Sequence, residues 1–158
     1  VVATLLLTAA YAYDRGKKRW RVAAFAIPAA LVLIVVLEIY GKSVVHHPAP
    51  PFSMIKHPTT IFPADYINEQ FSYPSGHAAR AVFLGVVILS PLFTQLAGFR
   101  LKKRYILAVA GVIGYITIVS VSRIYLGHHW FSDVMGGLLL GSGCAFIVPA
   151  ALSGGKRG

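Results

Sequence analysis

The chain is short of acid and almost without cysteine. Of its 158 residues only five are Asp or Glu, against fifteen Lys and Arg, and the formal net charge is +10. A single cysteine, Cys144, excludes a disulfide within the chain and leaves the redox compartment unread. Charged residues make up 13% of the sequence and hydrophobic ones 56%, which is not the balance of a water-soluble domain. No internal repeat is present, and no cleavable leader pattern precedes the first apolar run. The chain opens at Val1, without Met and already apolar, so an earlier segment is allowed for. On a soluble protein a charge of +10 would suggest a nucleic-acid partner. Here the cations cluster at the ends of apolar runs, and the expected partner is a bilayer, with no nucleic acid.

What is there is a set of long apolar runs. The run 1–13 is too short to cross alone and reads as a possibly truncated span; 22–40, 78–99, 105–121 and 134–152 follow. Most approach the ~20 residues that a ~30 Å hydrocarbon layer requires. The predicted fold class is all-α, a polytopic transmembrane helix bundle forming one membrane-embedded domain over 1–158. Gly137 and Gly141 are spaced as a close-approach seam between helices, and Gly111 and Gly114 are expected to act similarly. Between the second and third spans lies loop 41–76, which holds six of the nine prolines and so reads as ordered, extended chain.

Successive spans alternate in direction. All the Lys and Arg except Lys42, Lys56, Arg80 and Arg123 then fall on one face, which the positive-inside rule makes cytoplasmic. Those four cations and all six histidines (46, 47, 57, 77, 128 and 129) fall on the other face. The chemistry is therefore expected outside the cytoplasm, in a multi-pass protein of the cell membrane. Tyr40, Tyr66, Tyr73, Tyr125 and Trp130 read as interface anchors, and His46 and His47 as interfacial loop residues.

Two stretches carry that chemistry. Ser122 to Asp133 reads Ser-Arg-Ile-Tyr-Leu-Gly-His-His-Trp-Phe-Ser-Asp. Arg123 offers a planar fork suited to a phosphoryl or carboxylate group. His129 and Asp133 are four apart, so one helical turn brings carboxylate to imidazole, fixing the tautomer and freeing the other nitrogen to attack or ligate. Pro74-Ser75-Gly76-His77 stands where the loop enters the third span. Ser75 is an N-cap candidate, Gly76 lets a ligand approach the backbone, and the exposed amides make an anion site. His128 is expected to point away from His129 and to be structural.

These motifs resemble those of the type 2 phosphatidic acid phosphatase superfamily, membrane lipid phosphatases that share a core with vanadium haloperoxidases. Its second motif, Pro-Ser-Gly-His, is intact at 74–77, and its third, Ser-Arg-x5-His-x3-Asp, is intact from Ser122 to Asp133. Its first, Lys-x6-Arg-Pro, keeps Lys42 and Pro50 but has Ala49 in the arginine position; Lys56 offers a weaker second alignment. The resemblance covers roughly residues 22–152. It implies hydrolysis of a lipid phosphate monoester or pyrophosphate through a phosphohistidine on His129, with no metal and no cofactor. Asp133 would orient His129, and His77 would protonate the leaving oxygen and then activate water. Lys42, Arg123 and the amides around Ser75 and Gly76 would hold the phosphoryl group.

The missing arginine leaves charge to be balanced. Arg80, three residues after His77 on one helical face, is expected to replace it as a phosphate clamp; the alternative is that it snorkels or pairs with Glu38, Asp65 or Glu69. Two other functions stay open: a lipid phosphotransferase on the same scaffold, and a metal-binding or transport protein using His46, His47, His57, His128 and His129.

Overall fold

The computed structural model describes residues 25–56, 71–95 and 103–148, with 13–14, 19–20 and the helical residues Thr4, Leu6, Thr8 and Ala9 near the start. Two short strands, β1 (Tyr13–Asp14) and β2 (Arg19–Trp20), pair antiparallel, Tyr13 opposite Trp20. Everything else of length is helical: α1 (Ala26–Val44), α2 (Gly76–Gln95), α3 (Lys103–Tyr125) and α4 (Phe131–Ala145). The all-α expectation holds for the bundle, and the two-residue ladder is the departure from it.

Helix bounds differ from the apolar runs in ways that matter for the site. α1 starts later than residue 22 and continues to Val44, so Lys42 belongs to its last turn, where a cation complements the helix dipole. α3 runs past residue 121 and carries Ser122 and Arg123 as helix. α4 begins at Phe131, which puts Asp133 in its first turn rather than before it. Polar residues at helix ends were excluded from spans drawn by hydropathy, yet they satisfy the terminal peptide groups. Loop residues 57–70, with His57, Asp65, Tyr66 and Glu69, lie outside the described residues.

The core explains why three of the helices meet. Ile27, Ala30 and Ile34 recur at three- and four-residue spacing on α1, and Ala79, Phe83 and Val87 do so on α2. They pack with Cys144 and Ala145 of α4 and with Val148 beyond it. The most extensive packing is α2 on α4. A Cβ at Gly137 would overlap the Ser75 carbonyl, and one at Gly141 the Ala79 carbonyl, so the seam expected from their spacing is real. Gly111 and Gly114 are a correction: among the described residues no atom approaches their Cβ positions, and they form no seam there.

α3 is bound differently. Ile106, Leu107, Ile113, Ile118 and Val121 are all exposed. Only 6% of its apolar window, Tyr105–Tyr125, is buried within the protein. A helix so apolar and so little covered needs lipid around it. Among the described residues Ala26–Val44 is the other helix long and apolar enough to cross a membrane, and Gly76–Leu89 is a shorter apolar stretch.

The two glycine pairs give a direct test in thermal melts of the detergent-solubilised protein. Gly141→Ala should lower stability by about 1–3 kcal/mol through overpacking against backbone. Gly114→Ala should be neutral or stabilising by up to about 1 kcal/mol, since alanine favours helix and meets nothing.

Candidate functional site

The start of α4 is built around one carboxylate. Asp133 is fully buried, and its Oδ2 accepts the Trp130 N–H at 2.8 Å. The Trp130 carbonyl in turn accepts the Asp133 and Val134 N–H groups at 3.1 and 3.3 Å. The residue thus closes the first turn of the helix, as an acid in that position should. His129 Nδ1 stands 3.6 Å from the same Oδ2. His47 Nδ1 stands 3.1 Å from Oδ1. Both imidazoles face the carboxylate electrostatically, neither with the alignment of a full hydrogen bond.

The start of α2 meets this turn through the main chain. Ser75 N–H donates to the Asp133 carbonyl at 2.9 Å, tying the two intact motifs together across more than fifty residues of sequence. Ser75 occupies the N-cap position, and its carbonyl accepts the Ala79 N–H at 3.1 Å. Its Oγ is buried and makes no hydrogen bond among the described residues. Such a group is rare enough to point to a ligand. His77, the second residue of α2, is exposed; Arg123, Arg80, His129 and His128 lie near enough to act on it electrostatically.

Arg123 reaches the site from the last turn of α3. Its carbonyl accepts the His128 and His129 N–H groups at 3.1 and 3.3 Å, which folds the turn back on the helix end. Its buried Nε makes no hydrogen bond among the described residues. Burial and the neighbouring Arg123 charge hold the His128 imidazole below the ordinary histidine range. His128 is therefore neutral near pH 7 and adds no cation to that of Arg123. Gly127, at φ 73°, lets this turn pass the Met54 carbonyl, which any Cβ would strike.

Glu38 gathers the other cations. Its Oε2 accepts Arg80 Nη1 at 2.9 Å, and Lys42 Nζ lies 3.4 Å from its Oε1. A Cβ at Gly76 would overlap the whole carboxylate group, so the glycine admits Glu38 to the first turn of α2. Among the described residues Arg80 pairs with Glu38; Asp65 and Glu69 lie outside them. Lys56 is turned away from this group, its ammonium 3.4 Å above the centre of the Tyr125 ring. Ala49 is half-buried on the loop beside buried Pro50.

The loop is pinned against the same corner. Trp130 Nε1 donates to the Pro48 carbonyl at 2.9 Å, Ser72 N–H to the His47 carbonyl at 3.0 Å, and Lys56 N–H to the Leu126 carbonyl at 3.1 Å. His46 meets Phe71 edge to face, ring centres 4.9 Å apart. Sequence reasoning therefore missed three residues. Trp130 read as an interface anchor, His47 as interfacial, and Glu38 only as one possible partner of Arg80. A signal existed for Glu38, which continues the stripe of Ile27, Ala30 and Ile34 and stands one turn before Lys42. For His47 there was none, because the contact depends on how the loop returns. Tyr73 is also no simple anchor, since it packs over Gly136. Tyr40 and Tyr125 are exposed, as anchors should be.

Known proteins resemble this chain in sequence and in fold. A family model described as the PAP2 superfamily matches residues 21–154. Phosphatidylglycerophosphatase B of Bacillus subtilis is 38% identical over 81 residues, covering 51% of this chain and 39% of that protein. Undecaprenyl-diphosphatase of Sulfolobus acidocaldarius is 35% identical over 133 residues, covering 82% of this chain and 55% of that protein. The chain thus spans about half the length of these curated relatives or less. In fold it superposes on the crystal structure of a transmembrane PAP2-type phosphatidylglycerolphosphate phosphatase from Bacillus subtilis with a TM-score of 0.68. That likeness covers 98% of this chain and 68% of the other at 22% identity.

The capping role of Asp133 is separable from its charge. Asp133→Asn should stay near wild-type thermal stability, since the amide oxygen still accepts the Trp130 N–H. Asp133→Ala leaves that donor without its partner and should cost about 1–3 kcal/mol in the same melt.

Proposed function

The chain belongs to the PAP2 superfamily, and from the site it builds we propose that it is an integral-membrane lipid phosphatase working through a phosphohistidine. One observation carries the reading. The Ser75–Gly76–His77 helix start and the His129–Asp133 pair, distant in sequence, are joined by the Ser75 N–H to Asp133 carbonyl bond. That junction sets an anion-binding helix end beside a carboxylate-oriented imidazole.

In this reading Asp133 fixes the proton of His129 on Nδ1 and turns Nε2 towards the substrate. Nε2 attacks phosphorus, the bond from phosphorus to the lipid oxygen breaks, and His77 delivers a proton to that oxygen. Water then attacks the phosphohistidine, His77 takes its proton, the P–N bond breaks and phosphate leaves. Lys42, Arg80, Arg123 and the amides following Ser75 hold the phosphoryl oxygens, which for this reaction is most of the catalysis. The unpartnered Ser75 Oγ and Arg123 Nε support such a ligand. Hydrolysis without a metal is part of the same reading, in which Lys42, Arg80 and Arg123 supply the positive charge at the phosphoryl group. The substrate is a lipid phosphate monoester or diphosphate whose tail stays in the bilayer. The domain is multi-pass, and its site faces away from the cytoplasm, where loop residues 46–48 and 71–75 lie against it.

Phosphate release from a panel of lipid phosphates in detergent tests the chemistry. His129→Ala should abolish turnover in a folded protein, and His77→Ala should slow it on the order of 10²–10⁴-fold. EDTA should leave the rate unchanged, whereas vanadate should inhibit. Near-wild-type release by His129→Ala would overturn the mechanism, and EDTA inhibition reversed by one metal would favour the metal-site alternative. Orientation has its own measurement. In a Cys144→Ala background, Ser53→Cys should react with an impermeant thiol reagent on intact cells, and Leu101→Cys only after the membrane is opened.

A further inference from the structure

Glu38 has no part in the mechanism above, yet its placement is costly. It is 8% exposed, one turn from an apolar core, on a helix long and apolar enough to cross a membrane. A buried carboxylate is tolerated only when it is paired. This one is paired twice, with Arg80 Nη1 at 2.9 Å and Lys42 Nζ at 3.4 Å. It also rests on Gly76, where the first turn of α2 offers its positive end and where the only side chain that leaves room is none at all. Two cations and a helix start are the surroundings expected of a phosphate, and a carboxylate of the protein holds them. The other buried carboxylate among the described residues, Asp133, is taken up by His47, His129 and the Trp130 N–H. On the Lys42–Arg80 side Glu38 supplies counter-charge to both cations.

We propose that Glu38 sets how much negative charge the headgroup site accepts, a specificity-determining role that rests on the phosphatase reading. Lys42, Arg80 and Arg123 bring three fixed positive charges and Glu38 offsets one of them. The positive charge so lowered suits a phosphomonoester, with its roughly 1.5–2 negative charges, better than a more highly charged headgroup. A diphosphate headgroup brings more charge and meets Glu38 as a like charge at short range, where effective dielectric is low and repulsion discriminates strongly. Glu38 therefore favours lipid monoesters over lipid diphosphates. It acts by placing and partly neutralising Lys42 and Arg80, and takes no part in bond making.

The test compares wild type with Glu38→Gln, an isosteric neutral variant, in detergent on a lysophosphatidic acid and an isoprenyl diphosphate. In parallel, calorimetry measures the binding of inorganic phosphate and pyrophosphate. Glu38→Gln should move the kcat/KM ratio towards the diphosphate by about tenfold or more, chiefly through KM, and the Kd ratio towards pyrophosphate in the same direction. Glu38→Asp, which keeps the charge, should keep the wild-type order. A purely structural Glu38 would lower both substrates alike, so ratios unchanged within about twofold in both measurements would overturn the proposal. If Glu38→Gln does not fold, Arg80→Gln should shift the ratios the opposite way, towards the monoester and phosphate; no shift would again overturn it. If wild type releases phosphate from neither lipid, the phosphatase reading fails, and the two anion affinities still decide the role of Glu38.

Discussion

A carboxylate with no access to water must receive its solvation from the protein, and at Asp133 that requirement organises the corner where α2, α3 and α4 meet. The Trp130 N–H supplies a full hydrogen bond, while His47 and His129 bring two imidazoles to the remaining oxygen surface. The same residue lends its carbonyl to Ser75, so the start of α2 is positioned by the residue that positions His129. Loss of any one partner would leave charge stranded in a dry site. The corner is therefore a cooperative unit, and its geometry is preorganised before any substrate arrives.

Close backbone approach makes the junction possible. Gly137 and Gly141 bring α4 onto the Ser75 and Ala79 carbonyls of α2, near enough for peptide groups of one helix start to bond the other. Between lipid-covered helices there is no hydrophobic gain from association, so small residues and backbone contact have to carry it. α3 shows the contrast. Among the described residues nothing approaches the Cβ positions of its glycines, many of its apolar residues face outward while Val112 and Ile116 pack beside Gly85, and it reaches the site at its end, through Arg123 and the turn that follows.

Charge at this depth is arranged by compensation. Arg80 and Lys42 share Glu38, Lys56 lies over Tyr125, and His128 is kept neutral beside Arg123. Each cation thus has a partner or a reason to be without a second one, as the expense of ions near hydrocarbon demands. The family's first motif departs here, with Ala49 in its arginine position, and the cations that remain are gathered from α1, α2 and α3 instead.

The sequence by itself determined the helical class, the seam glycines 137 and 141, and the closeness of His129 to Asp133. Apolar period, glycine spacing and a carboxylate one turn from an imidazole are local properties, legible wherever helix geometry applies. Only the tertiary structure decided that Glu38 takes both Arg80 and Lys42, that His47 turns in to Asp133, and that Trp130 pins the loop through Pro48. Apart from the Glu38–Lys42 pair, which is one helical turn, those contacts join residues 42 to 86 positions apart, and two of them hang on the path of a proline-rich loop. No periodicity encodes such a path; it is set by which surfaces the packed helices leave for the loop to close over.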